Sequence, residues 1–229
     1  METHQGKTLK LVHTFITGLL EANTYIVELD GKSALIVDAG GNEDEIISFL
    51  KEKNLIPKAV VLTHGHFDHI AALSGLKKSY PDIKIMIHND DAFLIGENAL
   101  KNQCRMFADS GLEPYIEQCA RYVPEADVLL KQGDVLFADS ENFKGGFTVI
   151  HTPGHSEGSI CLYNNASGIL FSGDTLFKSS WGRTDFEGGD ESLLFESLKK
   201  LLILPTETFV FPGHGNTTTI GSEQGLLRY

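Results

Sequence analysis

Three histidines and one aspartate crowd into six consecutive residues of this chain, within the segment THGHFDH at positions 63–69. A packed core does not readily hold three imidazoles side by side, because their nitrogens would stay unpaired and their charges would be crowded. Residues 59–62, just before the segment, form a short apolar run that is typical of a buried strand. The cluster therefore predicts a metal-binding loop at the end of a strand, where loops of α/β proteins carry chemistry.

The spacing within this loop suits two ions. In an extended segment His64 and His66 point to the same side and can bind one ion together. Asp68 and His69 can face a second ion where the chain turns into the following helix. Zinc accepts imidazole nitrogen and carboxylate oxygen, and catalytic zinc sites keep one position open for water. Four side chains do not complete two coordination shells, so further ligands must come from elsewhere in the chain.

Three other segments place a possible ligand directly after a predicted strand. His155 lies in a glycine-rich turn, Asp174 follows an apolar run, and His214 stands between two glycines. Each of them alone has an ordinary explanation as a turn residue or a helix cap. Their repeated position after strands, together with the loop at 63–69, favours one shared metal site.

The hydrophobic pattern predicts an α/β (α+β) chain that forms a single domain over residues 1–229. Strands are predicted over residues 9–17, 24–29, 33–37, 59–62, 83–87, 147–150, 159–163, 168–171 and 208–211. Helices are predicted from Asn42, over residues 70–80, and from Asp190 through Leu202, with Asn42 and Asp190 as N-caps. Residues 90–125 are predicted to be a helical insertion, with short helices at 91–100 and 114–122, that overhangs the site.

The composition limits which binding partners and which cellular location are expected. The chain has 19 basic and 31 acidic residues, and its net charge of −12 repels phosphate backbones, which disfavours a nucleic-acid partner. Cys104, Cys119 and Cys161 are too few and too scattered for a disulfide framework. No apolar run approaches the length of a transmembrane helix. We therefore expect a cytoplasmic protein that acts on a small molecule, with no membrane partner and an open oligomeric state.

The complete set of candidate ligands resembles the metal site of the metallo-β-lactamase superfamily, and it consists of His64, His66, Asp68, His69, His155, Asp174 and His214. The resemblance covers nearly the whole chain. It implies a four-layer αββα sandwich of the metallo-β-lactamase type, with two divalent metals at the edge between the sheets. The metals would be zinc, with iron or manganese as alternatives.

The same resemblance assigns roles within the set. It implies that one metal binds to the two histidines of the 64–66 pair and His155, that the other binds to Asp68, His69 and His214, and that Asp174 bridges them. Asp68 would also be catalytic, because it orients the hydroxide that the two metals share. True β-lactamases of this fold commonly carry cysteine where this chain has Asp174, and Cys161 lies in mid-strand, which disfavours β-lactam hydrolysis.

Within the superfamily the chain resembles glyoxalase II and its short single-domain relatives. The segments that carry this likeness are GDTLF at 173–177, GRTDF at 182–186 and FPGHGNTTTIG at 211–221. The resemblance implies hydrolysis of a thioester such as S-D-lactoylglutathione, with Arg183 as a contact for the substrate. Full-length glyoxalase II adds a C-terminal helical domain for glutathione, and this sequence stops at Tyr229, so the thiol carrier stays open. Asp38, His151 and Thr152 match family positions near the ligands and are expected to support them at most.

Several rival functions stay open at this point. A persulfide dioxygenase of the same fold shares the segment at 182–186 and would hold one iron on His64, His155 and Asp174. Lactonases and phosphodiesterases of the fold are further alternatives, whereas nucleases are disfavoured by the acidity. A non-enzymatic metal-binding protein would be expected to have gaps in the ligand set, and all seven positions are filled.

Overall fold

The first half of the chain forms a six-stranded sheet in which the strands follow one another in chain order. The computed structural model describes residues 4–108 and 110–227. The strands of this first sheet are β1 (Val12–Thr17), β2 (Ala22–Glu28), β3 (Ser33–Val37), β4 (Ile56–Val61), β5 (Lys84–His88) and β6 (Val128–Leu130). The first three strands are antiparallel, and the strands from β3 to β6 run parallel. The parallel strands therefore end at the same edge of the sheet.

The second half of the chain supplies the other sheet. In chain order its strands are β7 (Val135–Leu136), β8 (Phe147–His151), β9 (Ile160–Asn164), β10 (Ile169–Gly173), β11 (Leu176–Phe177), β12 (Ser180–Trp181), β13 (Phe209–Pro212) and β14 (Thr218–Thr219). β11 and β12 form a separate two-stranded ribbon, and the other six form a sheet in the order β14-β13-β10-β9-β8-β7. β10 and β13 are parallel, so both end at one edge.

Helices cover the outer face of each sheet. They are α1 (His4–Leu9), α2 (Glu43–Glu52), α3 (Leu73–Ser79), α4 (Ala99–Met106), α5 (Glu113–Ala120), α6 (Glu191–Leu202) and α7 (Ile220–Glu223). Apolar residues of α2 to α5 pack on the first sheet, and those of α6 and α7 pack on the second. No helix in the described ranges is both long and apolar enough to span a bilayer.

Alternation along the strands builds these layers. In β2, Tyr25 and Val27 are buried in the core between the two sheets, whereas Ile26 is buried in the core beneath the helices. Residues of β10 divide in the same way, with Phe171 between the sheets and Leu170 beneath α6. The four-layer αββα sandwich is therefore confirmed. The interpretation of residues 1–229 as one domain stays a prediction, and residues 1–3, 109, 228 and 229 lie outside the described ranges.

Two predicted elements are wrong in their bounds. The strand predicted over 9–17 begins only at Val12, because Leu9 is the last residue of α1. The helix predicted over 91–100 is replaced by a 3₁₀ turn, Asn89–Leu94, followed by α4 from Ala99. Gly96 separates them at a φ of 80°, a left-handed conformation in which a helix cannot continue. The other predicted strands and helices are present with ends shifted by up to three residues.

The two predicted N-caps have different outcomes. The Asp190 side chain accepts a hydrogen bond from the backbone N–H of Leu193 at 2.9 Å, which confirms its role. Asn42 stands at the predicted position, but its φ is 54° and its side chain makes no capping hydrogen bond. Its Oδ1 instead accepts from the N–H of Gly18 at 3.2 Å, which ties the β1–β2 turn to the start of α2.

The segment at 90–125 is the connection between the parallel neighbours β5 and β6. A connection between parallel neighbours must return the chain to the end at which both strands begin, and helices usually form it. Leu94, Met106 and Ile116 of this segment are buried against the first sheet. The helical character predicted for it is therefore present, and it belongs to the outer layer of the sandwich.

Candidate metal centre

All seven predicted ligands meet at the edge where the parallel strands end. The loop after β4 carries four of them, the loop after β8 carries His155, and Asp174 and His214 follow β10 and β13. They form three overlapping groups with ligand atoms within 4.8 Å of one another: His64, His66 and His155; Asp68, His69 and His214; and His64, His69 and Asp174. We call the first two the first and second ligand groups.

Asp174 stands between the two ligand groups. Its Oδ2 lies 3.6 Å from the Nε2 of His155 in the first group and 3.6 Å from the Nε2 of His214 in the second. Its Oδ1 lies 3.6 Å from the Nε2 of His69. One carboxylate thus faces both groups, which is the position that a bridging ligand requires.

The residues fit a pair of divalent cations. Buried side-chain atoms that have no hydrogen-bond partner include the Nε2 atoms of His64, His66 and His155 and the Oδ1 of Asp174. A buried polar atom without a partner costs about 1–3 kcal/mol, so four of them at one place call for a common partner. Imidazole nitrogen and carboxylate oxygen form the donor set that zinc and other divalent transition metals accept.

Hydrogen bonds on the side of the rings that faces away from the centre orient these ligands. Asp38 Oδ2 accepts from His69 Nδ1 at 2.9 Å, and the same carboxylate holds the N–H and hydroxyl of Thr63. His155 Nδ1 donates to the carbonyl of Arg183 at 2.8 Å. In both histidines the occupied Nδ1 leaves Nε2 directed at the centre, as supporting partners of metal ligands do. The expectation that Asp38 supports a ligand is thus met by the geometry.

The two ligand groups differ in their proton affinity. Burial and the neighbouring imidazoles lower the pKa of His64 and His66 well below the usual 6.5. Burial also opposes a charge on His69, but Asp38, Asp68 and Asp174 outweigh it and raise its pKa to about 10. In His214 the hydrogen bond with Asp68 likewise outweighs burial and raises the pKa.

The carboxylate of Asp68 is held in its ionised form. Burial opposes this, but His69 and the nearby His214 outweigh burial and hold the pKa of Asp68 well below its usual range. Its Oδ2 lies 3.3 Å from the Nε2 of His214. An ionised carboxylate is the form that binds a metal or accepts a hydrogen bond from water.

A cavity of about 370 Å³ opens over this centre. Its walls are apolar and aromatic, and they are formed by Leu20, Phe107, Leu112, Phe177, Trp181 and Phe186. Phe107 packs against the ring of His66, with 5.0 Å between the ring centroids. Phe107 and Leu112 belong to the segment at 90–125, so this segment does overhang the site as predicted.

Arg183 lies in the wall of the same cavity. Its Nε and one terminal nitrogen each donate to the carboxylate of Asp185 at 2.6 Å. The guanidinium also lies over the ring of Phe186, 4.0 Å from its centroid. Arg183 therefore lies in the cavity wall with much of its charge already paired, and its role as a contact for the substrate stays a prediction.

Two other residues that the resemblance places near the ligands, His151 and Thr152, have hydrogen-bond partners outside the ligand set. The Nε2 of His151 donates to the carbonyl of Glu157 at 2.9 Å. The hydroxyl of Thr152 lies 3.0 Å from that of Thr175 and 3.4 Å from the thiol of Cys161. Cys161 is buried in β9, as predicted, and burial raises its pKa to about 12, so it offers no thiolate to a metal.

Asp91 is a buried residue of the site that the sequence reasoning missed. Its carboxylate accepts from the N–H of Gly65 at 2.9 Å, the hydroxyl of Ser156 at 2.7 Å and the N–H of Gly158 at 2.6 Å. It therefore joins the loop of His64 and His66 to the loop of His155. The signal that could have revealed it is its position just after the parallel strand β5, like the ligands after β4.

Comparison with known proteins decides the family. The model of the metallo-β-lactamase superfamily matches residues 17–214, which include all seven candidate ligands. The chain belongs to this superfamily. Its relatives include the probable metallo-hydrolase YqgX of Bacillus subtilis, 37% identical over 90% of this chain and 91% of that protein. They also include the hydroxyacylglutathione hydrolase GloC of Haemophilus influenzae, 33% identical over 89% of this chain and 90% of that protein.

Two solved structures share this fold over nearly the whole chain. BLEG-1, described as a B3 metallo-β-lactamase, has a TM-score of 0.79 and 37% identity and covers 93% of this chain and 95% of its own. TTHA1623, solved in a di-iron-bound form, has a TM-score of 0.76 and 35% identity over 93% of this chain and 96% of its own. Together with the ligand groups, the superfamily indicates a dinuclear metal site in a metallohydrolase.

Lowering the pH is expected to empty the second ligand group before the first. An imidazole must be unprotonated to bind a metal, so protons compete at His69, which its pKa of about 10 keeps protonated at neutral pH, and the raised pKa of His214 favours the proton there as well. The lowered pKa of His64 protects the first group. Elemental analysis after dialysis from about pH 8 to about pH 5 should give about two and then about one ion per chain. Loss of both ions at one pH would contradict this order.

Replacing Asp91 by asparagine is expected to weaken metal binding at the first ligand group. The amide replaces one of the two accepting oxygens with an N–H₂ group that faces the N–H of either Gly65 or Gly158, so at least one hydrogen bond from the loops to this side chain is lost. We expect the dissociation constant for the ion of this group to rise about 10- to 100-fold, measured by competition with a chelator. Asp82→Asn, at an exposed position before β5, is the control. Equal constants in the two variants would remove Asp91 from the site.

Proposed function

We propose that this chain is a binuclear metallohydrolase that cleaves thioesters of small acyl groups, such as S-D-lactoylglutathione. The observation that carries the proposal is the convergence of seven ligands beneath an apolar cavity, five of them in its lining, where the described residues outside the ligand set include no general acid. Among the described residues that line the cavity, Arg183 is the only titratable side chain outside the ligand set. An arginine does not release its proton at neutral pH.

The ligand set divides the work. His64, His66 and His155 would hold one ion, Asp68, His69 and His214 the other, and Asp174 would bridge them. When bound, two divalent ions polarise a carbonyl and lower the pKa of water to about 7. Asp68, kept ionised by its neighbours, would accept a hydrogen bond from the attacking water and orient it toward the acyl carbon. We therefore assign Asp68 as the catalytic residue.

The leaving group distinguishes a thioester from an amide or another ester as the substrate. A thiol has a pKa near 8.5, so a thiolate departs at neutral pH without receiving a proton. An amine or alkoxide leaves less readily and needs a proton from a general acid. The cavity offers no such group within the described residues, which supports a thioester over an amide or a β-lactam. The relative GloC is described as a hydroxyacylglutathione hydrolase, which agrees with this chemistry.

The cavity walls suggest how the substrate lies. Phe107, Phe177 and Trp181 would pack against the uncharged part of the acyl thioester. Arg183 retains donors beyond the two that bind to Asp185 and would contact a carboxylate of the thiol carrier. The proposed partner is thus a small-molecule thioester. Three free cysteines are compatible with a reducing compartment, and we propose the cytoplasm as its location.

The second ligand group argues against the main rival. A persulfide dioxygenase with one iron on His64, His155 and Asp174 has no need of the second group. Here the ligand atoms of Asp68, His69 and His214 lie within 4.8 Å of one another, as those of the first group do. Zinc is our first choice of metal. Because TTHA1623 has been solved in a di-iron-bound form, the metal analysis must also measure iron.

The test is a substrate panel on protein whose metal content has been measured. S-D-lactoylglutathione, a lactone, a phosphodiester, a β-lactam and glutathione persulfide are compared, the last with an oxygen electrode. We expect thioester cleavage with kcat/KM on the order of 10⁴ M⁻¹ s⁻¹ or more, and at least about tenfold above the other substrates. Oxygen consumption with persulfide and no thioester cleavage by fully loaded protein would overturn the proposal.

Matched variants test which side chains the activity depends on. Asp68→Asn is expected to lower kcat by about 10²-fold or more if it orients the water, whereas Asp82→Asn should leave it unchanged. Both are compared at equal metal content. Arg183→Ala should raise KM for the glutathione thioester and not for the same acyl group on uncharged N-acetylcysteamine. Equal effects on both thioesters would exclude Arg183 as a contact for the thiol carrier.

A further inference from the structure

The two peptide groups between His64 and His66 are held by side chains of one other segment of the chain. The N–H of Gly65, in the first of these peptides, donates to the carboxylate of Asp91 at 2.9 Å. The carbonyl of Gly65, in the second peptide, accepts from the side-chain amide of Gln103 at 2.6 Å. These two peptide groups determine how the two imidazoles are directed relative to each other, so both hydrogen bonds bear on the first ligand group.

Gln103 is fully buried in α4, and its surroundings determine how its amide is oriented. Its Nε2 donates to the carbonyl of Gly65 and, at 3.0 Å, to the carbonyl of Leu94. Carbonyl oxygens only accept hydrogen bonds, so the NH₂ group of the amide must face them. The amide oxygen, Oε1, has no hydrogen-bond partner among the described residues.

The unpaired oxygen indicates that Gln103 does more than fill space. A buried polar atom without a partner costs free energy, and a methionine of similar size would not carry that cost. What the glutamine supplies in return is two donors, and one of them binds to the peptide group that leads into His66. The donors are therefore the feature of this side chain that the ligand loop uses.

Close packing holds the same loop from a third direction. A Cβ atom at Gly65 would lie 2.7 Å from the Cβ of Leu94, which is closer than side chains approach each other. Leu94 and Asp91 both belong to the 3₁₀ turn Asn89–Leu94, and α4 with Gln103 follows this turn. The segment at 90–125 thus restrains Gly65 at its N–H, at its carbonyl and at its Cα.

The helix that carries Gln103 also contributes to the cavity wall. Phe107 follows Gln103 by one helical turn, and its N–H donates to the carbonyl of Gln103 at 3.0 Å. The ring of Phe107 packs on His66, with 5.0 Å between the ring centroids. One turn of this helix therefore contacts the ligand loop twice, through its backbone beside His66 and through the imidazole itself.

We propose that Gln103 is a positioning residue of the first ligand group, which acts through the peptide between Gly65 and His66. By fixing this peptide it keeps the imidazoles of His64 and His66 directed at the ion that they share with His155. Without the two donors the loop can turn, so this group binds its ion more weakly while the second ligand group is unaffected. This role rests on the dinuclear centre of the proposed function but does not depend on a thioester substrate.

The test measures each ligand group in a protein that binds one ion. His214→Ala removes a ligand of the second group, and His66→Ala removes a ligand of the first. Gln103→Met, which removes both donors and preserves the size of the side chain, is introduced into each of these proteins. The dissociation constant for zinc is measured by competition with a chelator. We expect Gln103→Met to raise it about 10- to 100-fold beside His214→Ala and less than about threefold beside His66→Ala.

Asn102→Leu is the matched control. Asn102 belongs to the same helix, and its side-chain amide donates to the carbonyl of Phe93 at 2.6 Å, outside the ligand loop. This variant also exchanges a donating amide for an apolar side chain of similar size. Because its partner lies outside the ligand loop, we expect Asn102→Leu to leave the zinc dissociation constant unchanged in both one-ion proteins.

Three results would overturn the proposal: an equal loss of zinc affinity in both one-ion proteins, no loss in either, or an equal loss with Asn102→Leu. The first and third would mean that Gln103 only stabilises the fold. Thermal unfolding of the metal-free proteins identifies a variant that does not fold. Gln103→Glu, whose neutral carboxyl keeps the shape and one donor, then replaces Gln103→Met, with a smaller rise expected beside His214→Ala. Zinc binding is the readout throughout, so a failure of thioester cleavage would leave this result standing.

Discussion

Buried imidazole and carboxylate groups that have no partner within the protein impose the constraint on which the rest of this structure depends. Three Nε2 atoms and one carboxylate oxygen converge without hydrogen bonds at the edge of the sandwich. Such an arrangement is costly unless metal ions are bound, because each group loses its hydration. The fold supplies what the arrangement needs, since parallel strands bring four loops to the same edge and Asp38 and Asp91 hold those loops from behind.

The ligand set and most of the fold were predictable from the sequence for the same reason. The candidate ligands are histidines and aspartates that follow apolar strands at several places in the chain. The strands of a buried sheet are themselves recognisable as short apolar runs. His64, His155 and His214 therefore stand out without any structure. The four layers follow less from periodicity than from the likeness to a known superfamily, which the match over residues 17–214 bears out.

Other features depend on tertiary contacts that leave little trace in the sequence. Asn42 has the identity of an N-cap, yet its left-handed φ turns its side chain toward Gly18 instead. Asp91 resembles any acidic residue of a turn until the fold brings three donors around it. The apolar cavity combines residues from distant segments, so single positions such as Leu20 and Trp181 carry no sequence signal. Helix and strand ends shift because neighbouring packing decides them.

The proposed function follows from the contrast between the floor and the walls of the cavity over the ligands. The floor concentrates ligands for two ions, and the walls are apolar with one cation that Asp185 largely neutralises. This contrast favours a substrate whose reactive carbonyl needs strong polarisation while its leaving group needs no proton. A thioester meets both conditions, and Arg183 is, among the described residues of the cavity wall, the charged contact that we propose distinguishes among thiol carriers.

The central claim is that two ions occupy the two ligand groups with Asp174 between them. The most direct measurement is a crystal structure of the purified protein with anomalous difference maps collected at the absorption edges of zinc, iron and manganese. We predict two peaks, one within reach of His64, His66 and His155 and one within reach of Asp68, His69 and His214. A single peak held by His64, His155 and Asp174, in fully occupied protein, would contradict the account and leave the second ligand group without a role.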